Sequence, residues 1–219
     1  ILRNVTIRDN QAAIAQNGHG GAIYMSFDCE PKLFDVVIEG NYANELGGGI
    51  YCAKASPSLS RVTFLDNAGE LQGGGIYFGL NCSPTITNCT FFGNDAPEGG
   101  GIYLSAGCAP TITNSIIAFS EDGGATFCDG SPSPTFLHCC SFANAGGDDL
   151  CPGRAPADDN LFVDPLFCDI GDDDITLASD SPCLPDGNLW GELIGAWGEG
   201  CVQSPVVSTS WGAIKALYR

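Results

Sequence analysis

Apolar and polar residues alternate along this chain in short runs that recur at a near-constant interval. The runs are Val5-Thr6-Ile7, Val36-Val37-Ile38, Val62-Thr63-Phe64 and Cys89-Thr90-Phe91. A two-residue period buries one face of a β-strand. Three residues beyond the last apolar position of each run stands an asparagine: Asn10, Asn41, Asn67 and Asn94. A glycine cluster then opens into Ile-Tyr, at Ile23-Tyr24, Ile50-Tyr51, Ile76-Tyr77 and Ile102-Tyr103, with steps of 27, 26 and 26 residues between the isoleucines. Loops ending in Pro31, Pro57, Pro84 and Pro110 lead into the next run.

A period of this length, built of strand-like runs and glycine turns, is the mark of a solenoid. The connections are too short for a crossover helix, and no helical apolar period is visible before residue 150. Like positions must then stack along one axis, about 4.8 Å apart. Parallel β crossovers are right-handed. The predicted fold is all-β: a right-handed parallel β-helix with coils of about 26 residues and an irregular C-terminal cap and tail. Paired helices fail on the triple glycines, each costing about 1 kcal/mol in a helix interior.

Stacking predicts columns. Ile23, Ile50, Ile76 and Ile102 point inward, as do Ile7, Ile38, Phe64, Phe91 and Ile117. The asparagines form a polar ladder at a corner, where Asn tolerates left-handed backbone. Tyr24, Tyr51, Tyr77 and Tyr103 face outward as an exposed stripe, which serves either cross-strand stacking or sugar binding. The motif decays after about residue 120. Gly123-Gly124-Ala125-Thr126-Phe127 is a degenerate copy, and 160–167 and 174–177 read as further strands. Residues 1–150 are expected to form the coils, 151–203 irregular capping coils with disulfides, and 204–219 a docking or sorting tail. Atypical terminal repeats cap solenoids.

The pairing of Gly20-Gly21-Ala22-Ile23 with Phe64-Leu65-Asp66-Asn67 and Phe91-Phe92-Gly93-Asn94 resembles the repeats of the chlamydial polymorphic outer-membrane proteins. The likeness covers roughly residues 1–120 and implies secretion, surface display and adhesion. The ending Ser210-Trp211-Gly212-Ala213-Ile214-Lys215-Ala216-Leu217-Tyr218-Arg219 is similar to the C-terminal tails of secreted bacterial β-helix proteins.

Charge and cysteine content narrow the class. With 26 acidic against 8 basic residues the net charge is −18, which argues against nucleic acid as a partner. Twelve cysteines without zinc-site clustering point to an oxidised, extracellular or cell-surface protein. Cys82-Ser83-Pro84 and Cys108-Ala109-Pro110 share a register, so a Cys82–Cys108 disulfide is expected between adjacent coils, with most of the other cysteines oxidised. Cys29 shares that register too, and Cys52 is its nearest candidate partner. No apolar run is long enough to span a membrane.

No catalytic, cofactor-binding or metal-binding residue is assigned. Glycoside cleavage needs two carboxyls about 5 Å or 6.5–9.5 Å apart. The outward Thr6, Val37, Thr63 and Thr90 carry none, and the bases Lys54 and Arg61 are isolated. Asp148-Asp149, Asp158-Asp159 and Asp172-Asp173-Asp174 form acidic loops. The last offers oxygens of the kind calcium takes, but a solvated acidic turn is the plainer reading. His19 and His138 read as structural. The leading expectation is a non-catalytic structural or adhesive solenoid, with host or matrix carbohydrate as a candidate partner and head-to-tail stacking with copies of itself through its open first coil and its tail. The alternative is a polysaccharide-active enzyme or a carbohydrate-binding module.

Overall fold

The computed structural model describes residues 1–13, 17–151 and 159–201. A parallel nine-stranded sheet runs the length of the solenoid. Its first strands, Leu2–Arg8, Lys32–Glu39 and Ser58–Leu65, are continuous. Further along, each is divided in two, as Thr85–Thr87 with Thr90–Phe92 and Thr111–Thr113 with Ile116–Ala118. The division falls at a column of left-handed residues: Asn4, Asp35, Arg61, Asn88, Asn114 and His138, with φ between 48° and 54°. His138 thus continues the column of Asn88 and Asn114.

A second parallel sheet stacks Ile23–Ser26, Ile50–Ala53, Ile76–Gly79, Ile102–Leu104 and Thr126–Cys128. Its register places Ile23, Ile50, Ile76 and Ile102 in one line and the four tyrosines in the next. The isoleucines meet Ile38, Phe64, Phe91 and Ile117 of the long sheet in the interior core. Glycine is obligatory where coils touch: a Cβ on Gly75 would lie 2.6 Å from the carbonyl oxygen of Gly101 and 2.9 Å from the Phe91 ring.

The asparagine ladder forms, with one correction of geometry. The left-handed residue is the one before each asparagine, as at Asp9, Gly40, Asp66 and Gly93. That kink turns the asparagine side chain inward, where Asn41, Asn67 and Asn94 are buried. Each amide then serves its neighbour. Asn41 Nδ2 donates to Asn67 Oδ1 at 2.9 Å, and Asn67 Nδ2 to Asn94 Oδ1 at 3.0 Å.

The tyrosines depart from the expected exposed stripe. Tyr24 is 55% exposed, Tyr51 and Tyr77 are half-buried, and Tyr103 is only 3% exposed. Their rings lie face to face, with centroids 4.8, 5.3 and 5.0 Å apart along the column. Stacking turns ring faces to each other and leaves edges for solvent, which favours the cross-strand role over a sugar platform.

The C-terminal part does not simply continue the stack. Leu161 still bridges to Cys140 of the coil before it. The chain then forms a small sheet of Phe167–Asp169, Asp174–Ala178 and Glu199–Cys201. This unit packs against the outer face of the long sheet. Leu65, Phe92, Ile116 and Cys140 from that face join Phe167, Ile175, Leu177 and Ile194 in a second apolar core. The proposed tail 204–219 lies outside the described residues, as does Asp158.

Cysteine pairing also differs from expectation. The disulfides are Cys128–Cys151 and Cys168–Cys201. Cys82 and Cys108 are unbonded, and most of the remaining cysteines are free thiols. The Cys82 thiol is turned to the carbonyl of Gly79 at 2.9 Å, and that of Cys108 to Phe78 at 3.5 Å. Cys52, proposed for Cys29, faces Cys82 at 3.8 Å between sulfurs.

Candidate functional site

Residues 188–197 form a strap that climbs the outer face of the long sheet, crossing its strands. At one end His138 Nδ1 pairs with Glu192 Oε2 at 3.0 Å and its ring stacks on Trp190 at 4.3 Å. These contacts tie the His138 ring to the strap. Asn88 Nδ2 donates to the Leu193 carbonyl at 2.6 Å, and Gly195 N donates to the Asn114 carbonyl at 2.8 Å. Ala196 N donates to Thr90 Oγ1 at 2.9 Å, and Trp197 Nε1 to Thr63 Oγ1 at 2.8 Å. Gly195 is needed for this approach: its φ is 99° and a Cβ there would lie 2.7 Å from Ile116 Cδ1. Thr63 and Thr90, expected to face solvent, are therefore covered, at 2% and 1% exposure.

At the upper end of the strap a cleft of about 230 Å³ remains open. Val37, Thr63 and Leu65 form its floor, and Asp173, Asp174, Ile175, Thr176 and Trp197 its walls. The indole is fixed by its hydrogen bond to Thr63 while 43% of the residue stays exposed. An anchored aromatic ring beside polar groups can pack the C–H face of a sugar and bond its hydroxyls. The volume is below the roughly 300–1,000 Å³ of drug-sized pockets, so the cleft suits one unit of a larger ligand lying across the surface.

Asp173 and Asp174 are sequence neighbours on one turn, not residues of two stacked coils. Asp174 Oδ1 already accepts from Thr176 N at 3.1 Å and Thr176 Oγ1 at 2.5 Å. The carboxyl raised by burial is that of Asp164, which accepts from Leu166 N at 2.9 Å and is not among the cleft residues. Arg61 is not isolated: its guanidinium bonds both oxygens of Asp35, at 2.5 and 2.9 Å, and holds that carboxyl below its usual range. Among the described residues no group of three or more His, Cys, Asp or Glu is placed to hold a metal ion. Nor is any helix among them long and apolar enough to cross a membrane.

His19 stacks on Tyr51 at 4.8 Å and stands 3.6 Å from Glu45, with its Nδ1 buried and unbonded. Sequence reasoning missed the cleft because Trp197 and Thr63 are 134 residues apart. One signal was present. Thr90-Phe91-Phe92 and Ile116-Ile117-Ala118 are apolar on both faces, the pattern of a strand covered on two sides.

No curated protein and no solved structure matches the chain. The family described as "Right handed beta helix region" matches residues 1–157, the parallel coils described above. The chain belongs to the right-handed β-helix family.

Proposed function

We propose that this protein is a non-catalytic, extracellular β-solenoid that adheres to neutral carbohydrate through the Trp197 cleft. The observation that carries the reading is the half-exposed indole, locked to Thr63 and flanked by Asp173 and Asp174. Carboxylates on the rim accept hydroxyl hydrogen bonds and repel uronates, as does a net charge of −18. Neutral sugars are the class that remains. Two disulfides support an oxidising compartment. The resemblance of the repeats to surface-displayed bacterial solenoids points the same way. A glycan array probed with wild type and Trp197→Ala tests the reading, with thermal melts to verify folding. Binding to neutral glycans that Trp197→Ala lowers at least tenfold is expected. Equal binding by the two proteins, or binding confined to uronate-containing glycans, would overturn it.

A further inference from the structure

The interior thiols offer chemistry that carbohydrate adhesion does not use. Cys52 ends one side of the tyrosine sheet, and Cys82 and Cys108 stand on successive coils of the following loop. All three are fully buried. Cys52 Sγ lies 3.8 Å from Cys82 Sγ, so a modest rotation brings the two into bonding range. Cys108 stands one coil beyond Cys82, where Ala109 N donates to the Cys82 carbonyl at 2.9 Å, so Cys82 is the middle of the three thiols.

In the folded chain Cys82 Sγ donates to the Gly79 carbonyl at 2.9 Å and so carries its proton. The hydrogen bond to Cys82, and then burial, push Cys52 and Cys108 up. Exchange therefore belongs to the chain before the coils close over these sulfurs, when the thiolate that attacks disulfides can form. The Cys52 thiol points to the Ala55 carbonyl at 3.4 Å, and Ala55 lines an open cleft of about 280 Å³ together with half-buried Cys29, Lys54 and Asn81.

We propose that Cys82 is the pivot of a thiol–disulfide exchange triad. During folding it closes a bond to Cys52 on meeting a small-molecule disulfide, and Cys108 is the third thiol that takes the place of Cys52 when that residue is lost. The Cys82 thiolate attacks one sulfur of the oxidant, forms a mixed disulfide and expels one small thiolate. Cys52, losing its proton, attacks the Cys82 sulfur and expels the second. Two protein thiols become one disulfide, the oxidant becomes two small thiols, and the protons pass to the departing thiolates. This bond differs from the Cys82–Cys108 pairing read from sequence register.

The test is peptide mapping of protein refolded in a glutathione redox buffer, then unfolded in alkylating reagent without reduction. Wild type should yield a Cys52–Cys82 linked peptide with Cys108 alkylated. Cys52→Ser should move the link to Cys82–Cys108, and Cys82→Ser should leave Cys52 and Cys108 both alkylated. Wild type carries the decisive result, so a variant that fails to fold does not blunt it. Recovery of wild-type Cys52 and Cys82 both alkylated, or of Cys82 linked to Cys108 with Cys52 free, would overturn the proposal.

Discussion

Replacing Asn67 by alanine removes the middle rung of the asparagine ladder, and the structure sets the size of the effect. Asn67 is fully buried. Its Oδ1 accepts from the Asn41 backbone N–H at 3.1 Å and from Asn41 Nδ2 at 2.9 Å. Its Nδ2 donates to the Ile38 carbonyl at 2.8 Å and to Asn94 Oδ1 at 3.0 Å. In Asn67→Ala the buried Asn41 N–H loses its acceptor, a cost of about 1–3 kcal/mol. The other three groups keep further partners: Asn41 Nδ2 retains the Ile7 and Glu39 carbonyls, for example. Each of those losses costs about 0.5–1 kcal/mol. The total is about 2.5–6 kcal/mol, or on the order of 10 °C in Tm for a chain of this size. The control is Asn10→Ala, at the exposed end of the ladder, where the side chain only donates, to Arg8 and Asn41. That change should cost about 1 kcal/mol. Urea and thermal unfolding of both variants give the comparison. Equal shifts for Asn10→Ala and Asn67→Ala would refute the argument that burial sets the ladder's worth.

Three further outcomes concern the strap and its anchors. Hydrogen bonds from His138 and then Asn114 depress the Glu192 carboxyl below its usual 4.5. A depressed acid contributes stability above its unfolded-state value and loses it as pH falls through the folded value. Trp190 emission should therefore shift to the red only below about pH 4.5, and an identical transition in Glu192→Gln would contradict this. Gly195→Ala should cost about 1–3 kcal/mol by overpacking against Ile116, and limited proteolysis should cut the strap faster. Gly198→Ala, with no atom within 4 Å of its Cβ position, should leave both readouts unchanged. Cys168→Ser opens a disulfide of sequence separation 33 and should lower Tm by roughly 10 °C; a shift under about 2 °C in calorimetry would contradict that.

The repeat made the interior legible. Ile50, Ile76 and Ile102 recur at one interval, and stacking geometry alone places them in a buried column. The same logic reaches Cys128–Cys151, which was missed. Gly146-Gly147-Asp148-Asp149-Leu150-Cys151 repeats the spacing of Gly123-Gly124-Ala125-Thr126-Phe127-Cys128, so the two cysteines fall in one register. The strap is different. No periodicity encodes a segment that crosses the coils once, and the partners of Leu193, Ala196 and Trp197 lie more than a hundred residues upstream. Only the loss of alternation at Phe92 and Ile116 hinted that the outer face was covered. The left-handed column was displaced by one residue in the sequence reading because both Asp and Asn favour that backbone, and packing chose Asp9 and Asp66 over the asparagines.

The most direct test of non-catalytic adhesion is to hold the protein with a neutral oligosaccharide that it binds, and to follow heat of binding and product mass together. Saturable binding that Trp197→Ala weakens, with the oligosaccharide recovered intact after prolonged incubation, is the predicted result. Shortened or unsaturated products that disappear in Asp173→Asn or Asp174→Asn would contradict the account and make the cleft an active site.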